Sequence, residues 1–314
     1  SNVGIRQQWY SDDLPDAVEL PGTMDLNQKG FANTDTTTAH LNRLYTYAGP
    51  AWYRKSVNIP ESFADKHIQL ILERTKSTQV WIDDEYIGAS HLLQSPQRYD
   101  VSAHLKPGEH SISIRVNNDL SLTPYGNVHI YSDDTQTNWN GIIGRIELEA
   151  ASLTHISDGQ IFPDIDDRKI KVRLAVINDL NLDSLDITLK AVCKRNGKTR
   201  KLISAHVHVA SDSVIECEYL LGKKMRLWDD YQQPIYTLTA VLNPGLDAVS
   251  APFGMRSFAA GDNQFSINGR TTFLRGKHDA CVFPLTGHPP MDVAGWKRVY
   301  GIAKSYGINH YRFH

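Results

Sequence analysis

Between Trp52 and about Ala150 the chain reads almost entirely as short strands. The runs AWYRKSVNI, IQLILE, QVWIDDEYIG and HSISIRVNN are bounded by Pro, Gly, Asp and Asn. In the last of them Ile112, Ile114 and Val116 alternate with Ser113, Arg115 and Asn117, a period of two that predicts one buried and one wet strand face. Several such strands in succession predict a β-sandwich or jelly roll. The residues before them are irregular and turn-rich (LPGTMDLNQKGF) and read as a long covering segment. A second series opens near Thr154 with KIKVRLAVIN, LDITLKAVCK, SAHVHVA, VIECEYLL and IYTLTAVL. Its spacing is that of an immunoglobulin-like sandwich, in which about seven strands fill about 100 residues. Ile187, Leu189, Ala191 and Cys193 share one face, and Ile215, Cys217 and Tyr219 another.

After Phe258 the rhythm changes. FSINGRTTFL predicts a hairpin, with Asn268-Gly269 as a type I′ turn. MDVAGWKRVYGIAKSYG then takes a helical period, capped by Asp292 and stopped by Gly307, with Val293, Trp296, Val299, Tyr300 and Ala303 as an apolar stripe. Strand Thr272–Arg275, helix Val293–Tyr306 and strand Ile308–Phe313 form a predicted βαβ unit. Parallel sheets are covered on both faces, so the closing GINHYRFH reads as a strand that calls for a larger sheet. Three domains are expected, over residues 1–152, 153–258 and 259–314. The apolar side of the last is expected to be disordered, or covered by the second sandwich or by another copy of the chain in a homo-oligomer.

A length of 314 residues suits two or three domains, and 41% hydrophobic with 22% charged residues is ordinary for a globular protein. A net charge of -2 without long runs of like charge gives no support to a nucleic-acid partner. No stretch approaches the roughly 20 apolar residues that cross a bilayer, so no membrane partner is expected. The opening SNVGIRQQWYSDD lacks the basic start and apolar run of a signal peptide. No Asn-X-Ser/Thr site occurs, which favours a bacterial source. A periplasmic or secreted location is expected over a cytoplasmic one. Cys193, Cys217 and Cys281 are too few and too scattered for a disulfide framework or a zinc site, and the first two read as buried thiols. His206 and His208 share a strand face but have no third ligand in reach, so no metal is expected there. Asp83-Asp84 and Asp133-Asp134 read as solvated turn acids.

The stretch FGMRSFAAGDNQFSINGRTTFLRGKHD resembles the junction at which glycoside hydrolase family 2 enzymes enter their catalytic barrel. Phe253, Gly254, Arg256, Phe265, Asn268, Gly269, Leu274 and Gly276 fall in register with that pattern. AWYRKSVNIPE, VWIDDEYIGASH, WNGIIGRIELEA and LWDDYQQPIYTLTAVL resemble further motifs of the family in the same order. The resemblance runs from about residue 20 to the end. It implies a mostly β chain: a jelly-roll sugar-binding-like β-sandwich, an immunoglobulin-like β-sandwich, then the first βαβ of a truncated (α/β)8 TIM barrel. A whole barrel takes about 250 residues.

The activity implied is retaining hydrolysis of β-linked sugars, of β-galactosidase type, with β-glucuronidase or β-mannosidase as alternatives. Such chemistry uses two carboxyl groups about 5–5.5 Å apart. The family carries them as glutamates near barrel strands four and seven, so no catalytic residue is expected in this segment, which by itself should be inactive. What the resemblance leaves here is pocket edge. Arg312 and His314 are candidates to orient substrate or a carboxylate, and His278 and Asp279 to line the pocket, since barrel sites lie at the C-terminal ends of strands. Trp139, in the polar loop DDTQTNWNG, is the candidate for stacking on a sugar ring, whereas Trp52 and Trp81 read as sandwich core. The implied partner is a β-linked oligosaccharide or polysaccharide fragment, with no cofactor. Lys277-His278-Asp279 departs from the family's usual Val-Asn-x after Gly276, and His314 follows Arg312 one place early. A carbohydrate-binding module that hydrolyses nothing is the alternative from another class.

Overall fold

The structure is a computed structural model and describes residues 2–123, 128, 131–135, 137–195, 198–211, 213–283, 285–286 and 289–313. The chain divides into two compact units. One comprises Ser1–Ala150 with Lys277–Tyr306 and Tyr311–His314, the other Ala151–Gly276 with Gly307–His310.

In the first unit the strands Pro50–Ile59, Gly108–Asn117, Ser77–Ile82 and Glu85–Ser90 lie in that order in an antiparallel sheet. A three-stranded sheet of Ile146–Ala151, His67–Leu72 and Gln97–Asp100 faces it. Ile68, Leu70 and Leu72 pack against Val80, Ile82, Ile112, Ile114 and Val116 to make the core between them. The predicted wet face of Gly108–Asn117 is not wet: Ser113, Arg115 and Asn117 are buried too. The reason is the N-terminal segment, which lies across that face. The Tyr10 carbonyl accepts from Ser113 Oγ (2.8 Å) and from the Arg54 guanidinium, and Arg115 Nη2 donates to Asn2 Oδ1 (3.4 Å). Tyr10 stacks flat on Trp81 (5.4 Å between centroids), and Trp81 tilts against Trp52 (5.0 Å). A Cβ on Gly4 would come within 2.4 Å of Trp52 Nε1, so only glycine lets the segment lie so close.

In the second unit Thr154–Asp164, Lys169–Asn178 and Val214–Leu220 form one antiparallel sheet. The other is centred on Ser184–Arg195, which pairs with Ile235–Asn243 on one side and with Lys198–Lys201 and Ala205–Ala210 on the other; Asp247–Phe253 completes it. Ile187, Leu189, Ala191 and Cys193 meet Ile215, Cys217 and Tyr219 in the core, as the period of two predicts, and both thiols are buried. His206 and His208 instead face outward, His208 toward Asp186 (2.8 Å) and His206 toward Thr188 (3.0 Å).

Three of the sequence motifs meet at the end of this sandwich. The Arg256 guanidinium lies 4.7 Å over the Trp228 ring, and a Cβ on Gly254 would sit 3.1 Å from that side chain. Asn268 donates to the Trp228 carbonyl (2.9 Å) and accepts from the Ser257 N–H (2.9 Å). Asn268 (φ 53°) and Gly269 (φ 76°) form the expected turn between Phe265–Ile267 and Arg270–Thr272.

Beyond the hairpin, the strand expected at Thr272–Arg275 lies later, at Gly276–Asp279, and pairs with His310–Phe313. Asn309 causes the shift. Its side chain accepts from Arg275 N–H (2.8 Å) and donates to the Phe273 carbonyl (3.1 Å), which uses the backbone groups a ladder would need. The helix Val293–Ser305 is capped by Asp292, whose Oδ1 accepts from Gly295 N–H (2.6 Å), and the chain leaves it through Gly307 at φ 82°. Trp296 stacks on Tyr300 and meets Phe313 edge-on, yet no helix residue is buried and Val293 is 70% exposed. The helix is formed, and its apolar stripe is only partly covered.

Candidate functional site

The strand Gly22–Thr23 pairs with Gly141–Ile142, and the Met24 N–H donates to the Asn140 carbonyl (2.9 Å). A Cβ on Gly141 (φ 140°) would lie 2.3 Å from the Gly22 carbonyl oxygen, so the close approach depends on glycine. Two buried asparagines hold the surrounding loops. Asn140 donates to the carbonyls of Gly49 (3.0 Å) and Val116 (3.1 Å) and accepts from Tyr53 Oη (3.2 Å). Asn118 donates to the carbonyls of Tyr47 (2.8 Å) and Asn138 (2.9 Å) and accepts from Gly49 N–H (2.8 Å). The nearly buried Arg43 ties the remaining segments together, with Nε donating to Thr137 Oγ1 (2.5 Å) and Nη1 paired with Asp25.

These contacts border an open pocket of about 200 Å³ whose wall includes Asp25, Arg43, Tyr47, Asp133, Asn138 and Trp139. Asn138 also lines it, and its side-chain Oδ1 is buried without a hydrogen-bond partner among the described residues. Behind Trp139 sits the Lys76 amine, 4.4 Å from the ring centre, with its pKa brought down to about 7 by burial and then by Arg43, against the pull of Asp133. Burial likewise lowers the Arg43 pKa, with Asp25 and Asp133 opposing. Aromatic faces and charged side chains of both signs along the wall suit a polyhydroxylated ligand.

The second cluster lies on the strands Gly276–Asp279 and His310–Phe313. Arg312 Nη1 is 3.4 Å from His278 Nδ1, so these two candidates are brought together. Asp279 takes another course. It is 6% exposed, and its carboxylate accepts from Lys277 Nζ (2.7 Å) and from Cys281 N–H (2.8 Å). Burial pushes its pKa up, but the Lys277 and Cys281 hydrogen bonds outweigh this and hold it below the usual carboxylate value. Lys277 also lies 5.3 Å over Tyr311, whose hydroxyl is buried without a hydrogen-bond partner. Trp139 belongs to the cavity instead, and His314 lies outside the described residues.

Asp133, expected as a solvated turn acid, is exposed but also lines the cavity and accepts from Asn138 N–H (2.8 Å). Lys277 was legible in principle, since it stands two residues from Asp279 and therefore on the same strand face. Asp25, Arg43 and Lys76 were not, because their partners are distant in sequence. Among the described residues no group of three or more His, Cys, Asp or Glu is placed to hold a metal ion, and no helix is long and apolar enough to cross a membrane.

Two family profiles match the chain. "Glycosyl hydrolases family 2, sugar binding domain" covers residues 1–150, and "Glycosyl hydrolases family 2" covers residues 154–256. The chain belongs to glycosyl hydrolase family 2. Among its family 2 relatives, a β-galactosidase of Clostridium acetobutylicum is 19% identical over 300 residues, taking in 88% of this chain and 32% of the relative. A solved family 2 member from Bacteroides cellulosilyticus has a TM-score of 0.74 at 17% identity, over 94% of this chain and 39% of that one. A β-glucuronidase from Ruminococcus gnavus in complex with D-glucuronic acid has a TM-score of 0.73 at 18% identity, over 99% of this chain and 52% of that one. At these identities the structural likeness speaks for the fold. The chain spans 32%, 19% and 22% of the length of three β-galactosidases it matches.

Proposed function

We propose that this chain is part of a retaining β-glycosidase of β-galactosidase type, to which it contributes carbohydrate contacts and not the catalytic carboxyl pair. The observation that carries this reading is the succession of two family 2 domains, with β-galactosidases and β-glucuronidases among the relatives. In this reading the strand–helix–strand segment opens an (α/β)8 barrel, and His278 and Arg312 stand where strand ends meet substrate. Arg312 and His314 orient the sugar or a carboxylate, and Asp279, held ionised by Lys277, braces that wall. Trp139 offers a ring face to a sugar. The two catalytic glutamates lie beyond residue 314. Assay of the purified 314-residue chain with p-nitrophenyl β-galactoside and β-glucuronide tests this: no turnover is expected from the chain alone. Turnover that survives purification to homogeneity would overturn the assignment of the carboxyl pair.

The cavity favours a second reading, a carbohydrate-binding module without hydrolysis, because its wall lies wholly within residues 24–140. The reading frame after His314 separates the two. A continued frame with an Asn-Glu after a fourth barrel strand supports the enzyme, and a stop codon supports the module.

A further inference from the structure

Lys76, just ahead of the strand Ser77–Ile82, is 3% exposed, yet its Nζ has no hydrogen-bond acceptor among the described residues. A buried amine without an acceptor is costly unless another interaction offsets it. Here the offset is aromatic. Nζ lies 4.5 Å from the centre of the Tyr131 ring and 4.4 Å from that of Trp139, the same indole that lines the cavity. The charged groups that act on it are Arg43, which repels it and is tied to Asp25 and Thr137, and Asp133, which attracts it and accepts from Asn138 N–H. With its pKa near 7, this amine exchanges its proton in the neutral range. The ammonium is attracted to both ring faces, whereas the neutral amine is not.

We propose that Lys76 is a positioning residue for the cavity wall: its cation, gripped between Tyr131 and Trp139, fixes the indole plane on which a carbohydrate ring stacks, and loss of the proton loosens that plane. The proposal rests on the carbohydrate reading of the cavity. No part of it requires Lys76 to touch the sugar.

Two readouts on the full chain test it separately. The first needs no ligand. Tryptophan fluorescence is titrated from pH 5.5 to 8.5, and the Trp139 contribution is assigned by difference from Trp139→Phe. Wild type should show a step with its midpoint near 7 that Lys76→Met abolishes. The second is affinity for methyl β-galactoside by titration calorimetry at pH 6 and pH 8. Wild-type affinity should fall roughly fivefold between them, and that of Lys76→Met should not change with pH. A step that persists in Lys76→Met overturns the coupling of Lys76 to Trp139. A step that Lys76→Met abolishes, with sugar affinity indifferent to Trp139→Ala, overturns the carbohydrate reading instead. Circular dichroism of each variant at both pH values separates these results from unfolding; should Lys76→Met not fold, Lys76→Gln takes its place, with the same expected loss of the step.

Discussion

The two sandwiches bury different things. The second has a nearly dry core: Thr154, His155 and Thr188 are its buried polar residues among those described, set against Ile170, Leu174, Leu185, Ile187 and Leu242. The first buries a polar network beside its apolar core, including Lys76, Thr78, Gln97, Arg115, Asn118 and Asn140. Apolar packing is insensitive to direction, whereas buried polar groups are stable only when their partners are fixed in place. The difference makes the first sandwich depend more than the second on polar partners fixed in place.

The sharpest break of that comparison lies in the dry core. Leu242→Ala should cost about 4 kcal/mol by urea denaturation, because Leu242 is fully buried and its neighbours relax only in part around the hole. Its effect on sugar affinity of the folded fraction should be nil. Arg43→Met comes next, at about 3 kcal/mol, because it strands the mostly buried Asp25 carboxylate without its partner. Unlike the first variant it should also disturb the cavity, seen as a changed Trp139 fluorescence. Trp139→Ala reverses the balance: affinity for methyl β-galactoside should drop about tenfold, while stability falls by less than for Arg43→Met. Equal affinity in both proteins would remove Trp139 from the binding surface.

The smallest effect belongs to the strand-end cluster. The Asp279 pKa is lowered in the fold, so its contribution to stability is in place above the unfolded carboxylate value of about 4 and is lost as pH falls through the folded value. Asp279→Asn should therefore flatten the acid limb of stability below about pH 4. Lys277 is half in water, so the change should stay under about 1 kcal/mol. Thermal melts from pH 2 to 6 would read it, and an unchanged acid limb would show that the pair contributes nothing measurable.

Local rules carried most of the architecture. The alternation at Ile187–Cys193 and Ile215–Tyr219, the Asn268-Gly269 turn and the Asp292 cap each needed only neighbouring residues, and each formed where the pattern placed it. Where local rules failed, a distant segment intervened. Ser113, Arg115 and Asn117 read as a wet face until Asn2 and Tyr10, more than a hundred residues earlier, lay across them. Strand Gly276–Asp279 started late because the side chain of Asn309 claimed the preceding backbone. Asp279 and His278 were legible as strand-end residues, but which of them faced Arg312 was not.

What the sequence determined by itself was the β character, the two sandwiches and the strand–helix–strand that follows, because periodicity and turn chemistry act over a few residues. The tertiary structure alone decided the cavity. It brings Asp25, Arg43, Lys76, Asp133 and Trp139 together from four separate stretches, and both the ion pair and the lowered amine pKa exist only once water has been excluded between them.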